Sequence, residues 1–140
     1  MTEHRDLPWR VAAAVLLVVV GVVHLKLYDD GYKDFPNHDL GRSFLLNAVG
    51  AALLAVLLVA WRHLVPVVAA LALVDGTMLA FTLSRHRGIF GFTETGWDPS
   101  PEAAIALFSE IAAAGVLLYL MFLALVEIAP RRRTAARSPV

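Results

Sequence analysis

The stretch "LVPVVAALALVDGTMLAFTL" (Leu64–Leu83) is apolar almost throughout, yet it holds an aspartate, Asp75, well inside its length. A helix needs about 20 apolar residues to cross the hydrocarbon core of a bilayer, which is roughly 30 Å thick. Lipid offers the backbone no hydrogen bonds, so a run of this kind is expected to be helical. The stretch therefore predicts a membrane-spanning helix. It also raises the question of what Asp75 contacts, because acids inside membranes are costly and are usually paired or functional.

Three more apolar runs of similar length surround this one along the chain. The four predicted spans cover about residues 11–27, 44–61, 64–83 and 103–126, inside a transmembrane domain of residues 11–127. None of the runs alternates apolar with polar residues, which argues against the strands of a membrane β-barrel. The sequence therefore predicts an all-α fold. We expect a four-helix transmembrane bundle of up-down-up-down topology with both termini on the same side.

The overall composition supports a membrane location and excludes several classes of function. The chain is 59% hydrophobic and 17% charged, whereas soluble domains are near half apolar and about a quarter charged. Its formal net charge is zero, so it lacks the basic footprint of a nucleic-acid-binding protein. It has no cysteine, which excludes a thiol nucleophile, a Cys-ligated zinc site and an iron–sulfur cluster. No motif for a nucleophile or a phosphate loop is present, so no catalytic residue is predicted.

Basic residues predict how the helices are oriented. They are more frequent on the side of the termini, where "RRR" (Arg131–Arg133) follows the last span, and the positive-inside rule then places both termini in the cytoplasm. Residues 1–10 are predicted to form a cytoplasmic N-terminal segment, and residues 128–140 a basic, disordered cytoplasmic tail. The expected location is the plasma membrane, as a multi-pass protein in contact with the lipid bilayer.

Each predicted helix carries one strong polar group near the same side of the membrane: His24, Asn47, Asp75 and Glu110. At about 1.5 Å per residue, Asp75 lies roughly 12 Å and Glu110 roughly 10 Å from the outer ends of their helices. Small residues recur at helical spacing beside Asn47 and Glu110, as expected of interior faces. We therefore predict that the four side chains form one ligand-binding cluster that opens to the outer side.

Three hypotheses account for such a cluster. In the first, it is a hydrogen-bonded latch that only fixes the register of the helices. In the second, it lines a pocket for a lipophilic ligand such as a quinone or a lipid head group, because few polar groups in an apolar cavity are typical of ligand sites. In the third, Asp75 and Glu110 bind an ion or a proton in a transporter. The identity of any metal or cofactor is left open, since no short metal-binding motif such as HExxH is present.

The segment "GVVHLKLYDDGYKDFP" (Gly21–Pro36) resembles the DoxX-like family of small four-helix membrane proteins. The shared features are a Gly-x-x-His near the end of the first helix, followed by an aromatic residue and a proline. The likeness covers about a quarter of the chain and includes neither Asp75 nor Glu110. Members of that family are linked to redox membrane complexes, including quinone-reducing ones. The resemblance therefore implies that His24 lies at a pocket and that the partner is a quinone or a membrane protein.

Taken together, these features favour a non-catalytic or accessory membrane component with an intramembrane polar pocket. The alternative class is a transporter or an ion-binding or proton-binding membrane protein. A third class is an enzyme that acts on lipophilic substrates, with one of the acids as proton donor. Small-residue faces also predict a membrane-protein partner or a homo-oligomer.

Overall fold

A computed structural model describes the backbone of residues 6–135 and the side chains of residues 6–127. Four α-helices account for most of this part of the chain: α1 (Leu7–Asp29), α2 (His38–Ala60), α3 (Leu64–His86) and α4 (Glu102–Ala135). A short 3-10 helix, Tyr32–Asp34, lies between α1 and α2. The four helices are each long and apolar enough to span a bilayer, with α4 doing so over Glu102–Glu127. The predicted all-α, four-helix fold is confirmed.

The helices extend beyond the apolar runs that predicted them. α2 begins at His38 rather than near residue 44, because Asn37 caps it by accepting a hydrogen bond from the backbone N–H of Asp39 at 3.0 Å. α1 begins at Leu7, so residues 7–10 of the predicted N-terminal segment belong to the helix. Arg10 is buried there and contacts Asp6 at 2.7 Å. Polar residues at the ends of a span are compatible with a helix, which is why hydrophobicity alone placed the ends too far inward.

The predicted disordered tail of residues 128–140 is helical in its first part. α4 continues without a break through Ala135, well past the expected end near residue 126. Residues 128–135 include two alanines and three arginines, which are strong helix formers, and one proline, Pro130, which is a poor one. Residues 1–5 and 136–140, which hold the rest of the two predicted terminal segments, lie outside the described residues.

The core of the bundle is built mainly from small and branched apolar residues. α1 packs against α2 and α4, and α3 packs mainly against α4. Of the helix pairs that are in contact, α2 and α3 are the least closely packed. A side chain added at Gly21 would meet the carbonyl oxygen of Ala48 at 3.2 Å and the Cβ of Ala51 at 3.3 Å. A side chain at this position would be tight against α2, so glycine favours the close approach of α1 and α2. The looser contact between α2 and α3 leaves space between those two helices.

The outward faces of the four helices are mostly apolar in the described part of the chain, as lipid requires. Exposed examples, one from each helix, are Val22, Leu53, Leu79 and Phe122. The connections at the two ends of the bundle differ in length. A short turn, residues 61–63, joins α2 to α3, whereas residues 30–37 and 87–101 form two longer connections at the opposite end. We refer to the latter as the long-loop end, and the candidate site lies beneath it.

Candidate functional site

A cavity of about 440 Å³ lies beneath the long-loop end, between the diverging parts of α2 and α3. α1 and α4 contribute its inner wall, and the connection between α3 and α4 contributes its roof. Most of the lining is apolar or aromatic, including Leu27, Phe44, Leu73, Phe81 and Ala106. Three of the four predicted site residues line it. His24, Asn47 and Glu110 are 6%, 8% and 1% exposed, respectively.

Glu110 reaches the cavity from a face of α4 that is formed by alanines. Ala103, Ala106, Ala113 and Ala114 are all buried and share this face, as their helical spacing predicts. Such small side chains let α4 lie close to its neighbours and leave Glu110 as the one long side chain among them. Its Oε1 atom is buried and has no hydrogen-bond partner in the described part of the chain. A buried polar atom without a partner costs free energy, and ligand sites are one reason why proteins retain such atoms.

The nearest polar neighbour of Glu110 is His24 of α1. The Nε2 atom of His24 lies 4.0 Å from Oε1 of Glu110, which is too long for a direct hydrogen bond. On the other side of the ring, Nδ1 lies 2.9 Å from the carbonyl oxygen of Val20. A carbonyl oxygen accepts and never donates, so Nδ1 carries a proton. When the ring is neutral, Nε2 is therefore an acceptor that faces the cavity. The ring also packs against Phe44 at an interplanar angle of 37°, with centroids 5.4 Å apart.

Asn47 of α2 is held by Thr77 of α3. The Nδ2 group of Asn47 donates a hydrogen bond to Oγ1 of Thr77, which in turn donates to the carbonyl oxygen of Leu73 at 2.8 Å. The Oδ1 atom of Asn47 is buried and has no partner among the described residues. This bridge connects α2 to α3 where the two helices are otherwise loosely packed. It also fixes the amide so that its oxygen is left without a partner.

Asp75 does not join the other three residues. Its side chain is exposed on the outer surface of α3, and it does not line the cavity. Thr77, two residues further on, faces inward, and two residues correspond to about 200° around a helix. The expected single cluster of four polar groups is therefore wrong for Asp75, although it is right for the shared location of the other three.

The mouth of the cavity is closed over by a hydrogen-bonded group that sequence reasoning did not identify. The hydroxyl of Tyr32 donates to Glu94, and Glu94 also pairs with Arg85 at 3.0 Å. Arg85 lies over the ring of Phe81, 3.5 Å from its centroid. It also donates to the carbonyl oxygens of Gly96 at 2.9 Å and of Asp98. Arg85 thus fastens the α3–α4 connection to α3.

Tyr32 is the titratable group at this mouth whose environment matters most for pH dependence. Burial raises the pKa of its hydroxyl well above the usual value of 10.0, and the hydrogen bond to Glu94 raises that pKa further. The phenol therefore stays neutral and continues to donate its proton over the whole physiological range. Its ring packs against Phe44 and Phe92, with centroids 4.4 Å and 5.4 Å away.

Two signals in the sequence point to the residues that were missed. On α3, Ala70, Val74, Thr77, Phe81 and Ser84 recur at helical spacing, each of them apolar or weakly polar, and this is the face that turns inward. A charged residue was a poorer guide to the interior face than this pattern was. In the α3–α4 connection, "GIFGF" (Gly88–Phe92) forms a tight turn in which Phe90 and Gly91 both have positive φ. The turn places the ring of Phe92 against that of Tyr32. No short sequence motif predicts this contact.

Within residues 6–127, no group of three or more histidine and acidic side chains could hold a metal ion. Glu110 and His24 are close to each other, but Asp75 is not available to complete such a site. Comparisons with family models, with curated proteins and with solved structures gave no match for this chain. The site is therefore interpreted from its own geometry.

Proposed function

We propose that this integral membrane protein binds a lipophilic molecule, such as a quinone or a lipid, in the cavity beneath its long-loop end. We further propose that it acts as a non-catalytic or accessory component. The observation that carries the proposal is the lining: Glu110, His24 and Asn47 are buried polar groups in an otherwise apolar cavity. Ligand sites have this composition, because the apolar wall supplies affinity and a few polar groups orient the molecule.

Other features support the same proposal. The segment that resembles DoxX-like proteins, Gly21–Pro36, supplies His24, Leu27 and Tyr32 to the cavity. Besides the mouth that is closed over at the long-loop end, the cavity has a lateral opening, because Leu46, Ala72 and Gly76 lie exposed on its rim. This opening faces the gap between α2 and α3, where a molecule dissolved in the bilayer would arrive. The proposal includes a plasma-membrane location with both termini in the cytoplasm. A membrane-protein partner or a homo-oligomer stays a prediction.

The alternative, an ion-binding or proton-binding transporter that uses Asp75 and Glu110 together, has less support. The two side chains lie on different surfaces, one exposed on α3 and the other buried in the cavity. A site that binds one ion with both carboxylates would need them on the same side of α3. This separation favours the pocket.

The test is thermal unfolding of the purified protein in nanodiscs, with and without short-chain quinones, the corresponding hydroquinones and phospholipid head-group analogues. Ala80→Phe places a ring on the cavity wall, and Asp75→Asn alters a membrane acid away from the cavity, so it is the matched control. A genuine ligand at 100 times its Kd stabilises the folded state by about 2.7 kcal/mol. We expect that stabilisation in wild type and in Asp75→Asn but not in Ala80→Phe. Equal stabilisation of all three proteins, or of none, would contradict the proposal.

A further inference from the structure

We infer that the polar end of the bound molecule is a hydrogen-bond donor, a hydroxyl or an ammonium group. This inference rests on the proposed function and specifies the chemistry of its ligand. It follows from counting which hydrogen-bonding atoms around the cavity are already used by the protein and which are not.

Asn47 contributes an acceptor. Thr77 has a single hydroxyl proton, and that proton is donated to the carbonyl oxygen of Leu73 at 2.8 Å. Towards Asn47, Thr77 must therefore accept, so the neighbouring atom of Asn47 is its Nδ2 group. Turning the amide over would require Thr77 to give up its hydrogen bond to Leu73 and to donate to Oδ1 instead. Its Oδ1 atom is buried and has no partner among the described residues. It is consequently an acceptor that a donor group of the ligand can satisfy.

His24 contributes a second acceptor. Its Nδ1 proton is donated to the carbonyl oxygen of Val20, so when the ring is neutral the lone pair of Nε2 is directed towards Glu110. Glu110 contributes a third, because its buried Oε1 has no partner in the described part of the chain. An ionised carboxylate only accepts, and a protonated one donates a single bond. The inner cavity thus presents acceptors from three different helices.

Donors are scarce on the same surface because the protein uses its own. Four hydroxyl groups line the cavity, and each donates to the protein: Tyr32 to Glu94, Ser43 to Leu40, Thr77 to Leu73 and Ser84 to Phe81. Arg85 directs its guanidinium to Glu94 and to the carbonyl oxygens of Gly96 and Asp98. The inner wall itself retains the second N–H of the Asn47 amide and, when Glu110 is protonated, the one O–H of that carboxyl group.

The excess of hydrogen-bond acceptors over donors favours some lipophilic ligands over others. An oxidised quinone offers only carbonyl oxygens, which would face acceptors and leave both sides unsatisfied. A hydroquinone, a lipid with a hydroxylated head or a long-chain ammonium ion would instead satisfy the buried oxygens. A site built to hydrogen-bond a hydroxyl strongly rejects an analogue that lacks it, because the polar groups of the site are then left unpaired.

The experiment measures Kd by titration calorimetry for two matched pairs of probes on the protein in nanodiscs. The first pair is decylhydroquinone, kept under argon, and its 1,4-dimethyl ether, which has the same ring, chain and oxygens but no O–H. The second pair is dodecylammonium and dodecyltrimethylammonium, which have the same charge but differ in N–H bonds. We expect the donor of at least one pair to bind about tenfold more tightly than its methylated partner. The pair that shows the difference identifies whether the donor is a hydroxyl or an ammonium group.

Glu110→Gln tests whether Glu110 contacts the ligand, because a merely structural role would not change the binding preference between the two members of a pair. The glutamine amide donates as well as accepts, so it should lower the preference for the donor probe by about threefold or more. Asp75→Asn makes the same type of change outside the cavity and should leave the preference unaltered. Equal binding of both members of each pair would overturn the inference while leaving the pocket intact. If no probe binds wild type more tightly than it binds Ala80→Phe, the proposed function fails as well.

Discussion

At the scale of single residues, the polar groups around the cavity are positioned precisely but are incompletely paired. Glu110 is almost completely buried, and its Oε1 atom has no hydrogen-bond partner among the described residues. Burying a polar group without a partner costs about 1 to 3 kcal/mol. Groups that persist at such a cost are more readily explained by ligand binding than by folding stability.

Replacing Glu110 by glutamine should therefore leave the ligand-free protein equally stable or make it more stable. The change removes a buried carboxyl group and keeps the length of the side chain, while Asp75→Asn serves as the exposed control. Unfolding midpoints of the two variants and of wild type, measured in nanodiscs, test this expectation. A loss of more than a few degrees in Glu110→Gln alone would instead identify the cluster as a structural latch, since a satisfied network would have been cut.

Tyr32 should make the folded protein sensitive to strongly alkaline pH. Its pKa is raised in the folded protein, so above about pH 10 the unfolded chain loses this proton first and binds fewer protons than the folded chain. The free energy of unfolding should consequently fall as pH rises through this range. In Tyr32→Phe the fall should be shallower, although the variant starts from lower stability because the hydrogen bond to Glu94 is missing. Parallel pH profiles of the two proteins between about pH 9 and 12 would contradict this explanation.

At the scale of helices, the bundle depends on one close approach, that of α1 to α2 at Gly21. The small residues Ala48 and Ala51 meet the glycine there, and the contact brings His24 and Asn47 to the same cavity. α2 and α3 are packed less closely, and the resulting gap is what the cavity occupies. The packing of one helix pair thus creates the site, while the looseness of another leaves it open.

Gly21→Leu should destabilise the protein by about 1 to 3 kcal/mol, because the added atoms would overlap Ala48 and Ala51. Gly115 of α4 is the matched control, since a Cβ there meets nothing within 4 Å. Gly115→Leu should leave the unfolding midpoint unchanged or raise it, because leucine favours a helix more than glycine does. The measurement is the unfolding midpoint of both variants. A similar loss of stability in each would show that the destabilisation does not come from the α1–α2 contact.

At the scale of the whole molecule, four helices that each cross the membrane would put both termini on one side and the long-loop end on the other. The chain has no native cysteine, so single cysteines report on topology without interference. Thr95→Cys, in the α3–α4 connection, should react with an impermeant maleimide on intact cells. Ser138→Cys, near the C-terminus, should react only after lysis, because the basic residues beside it favour the cytoplasm. The reverse pattern of labelling would place the cavity mouth on the cytoplasmic side.

Much of the architecture could be predicted because membrane insertion depends on local properties. Length and hydrophobicity of each run are sufficient to indicate a spanning helix, and all four runs were identified in this way. The ends of the helices were less predictable: Asn37 begins α2 through a local cap, and α4 continues through its basic residues to Ala135. Polar helix ends carry no hydrophobic signal, so the apolar runs underestimated the helices.

The sequence by itself determined that the chain forms four apolar helices and that His24, Asn47 and Glu110 lie on their interior faces. Those features follow from hydrophobicity and helical spacing, which each segment carries independently of the others. Only the tertiary structure decided that Thr77 rather than Asp75 faces the cavity, and that Tyr32, Arg85 and Glu94 close its mouth. The rotation of a helix about its own axis depends on which neighbours it packs against. A single charged residue does not outweigh the packing of a whole helical face.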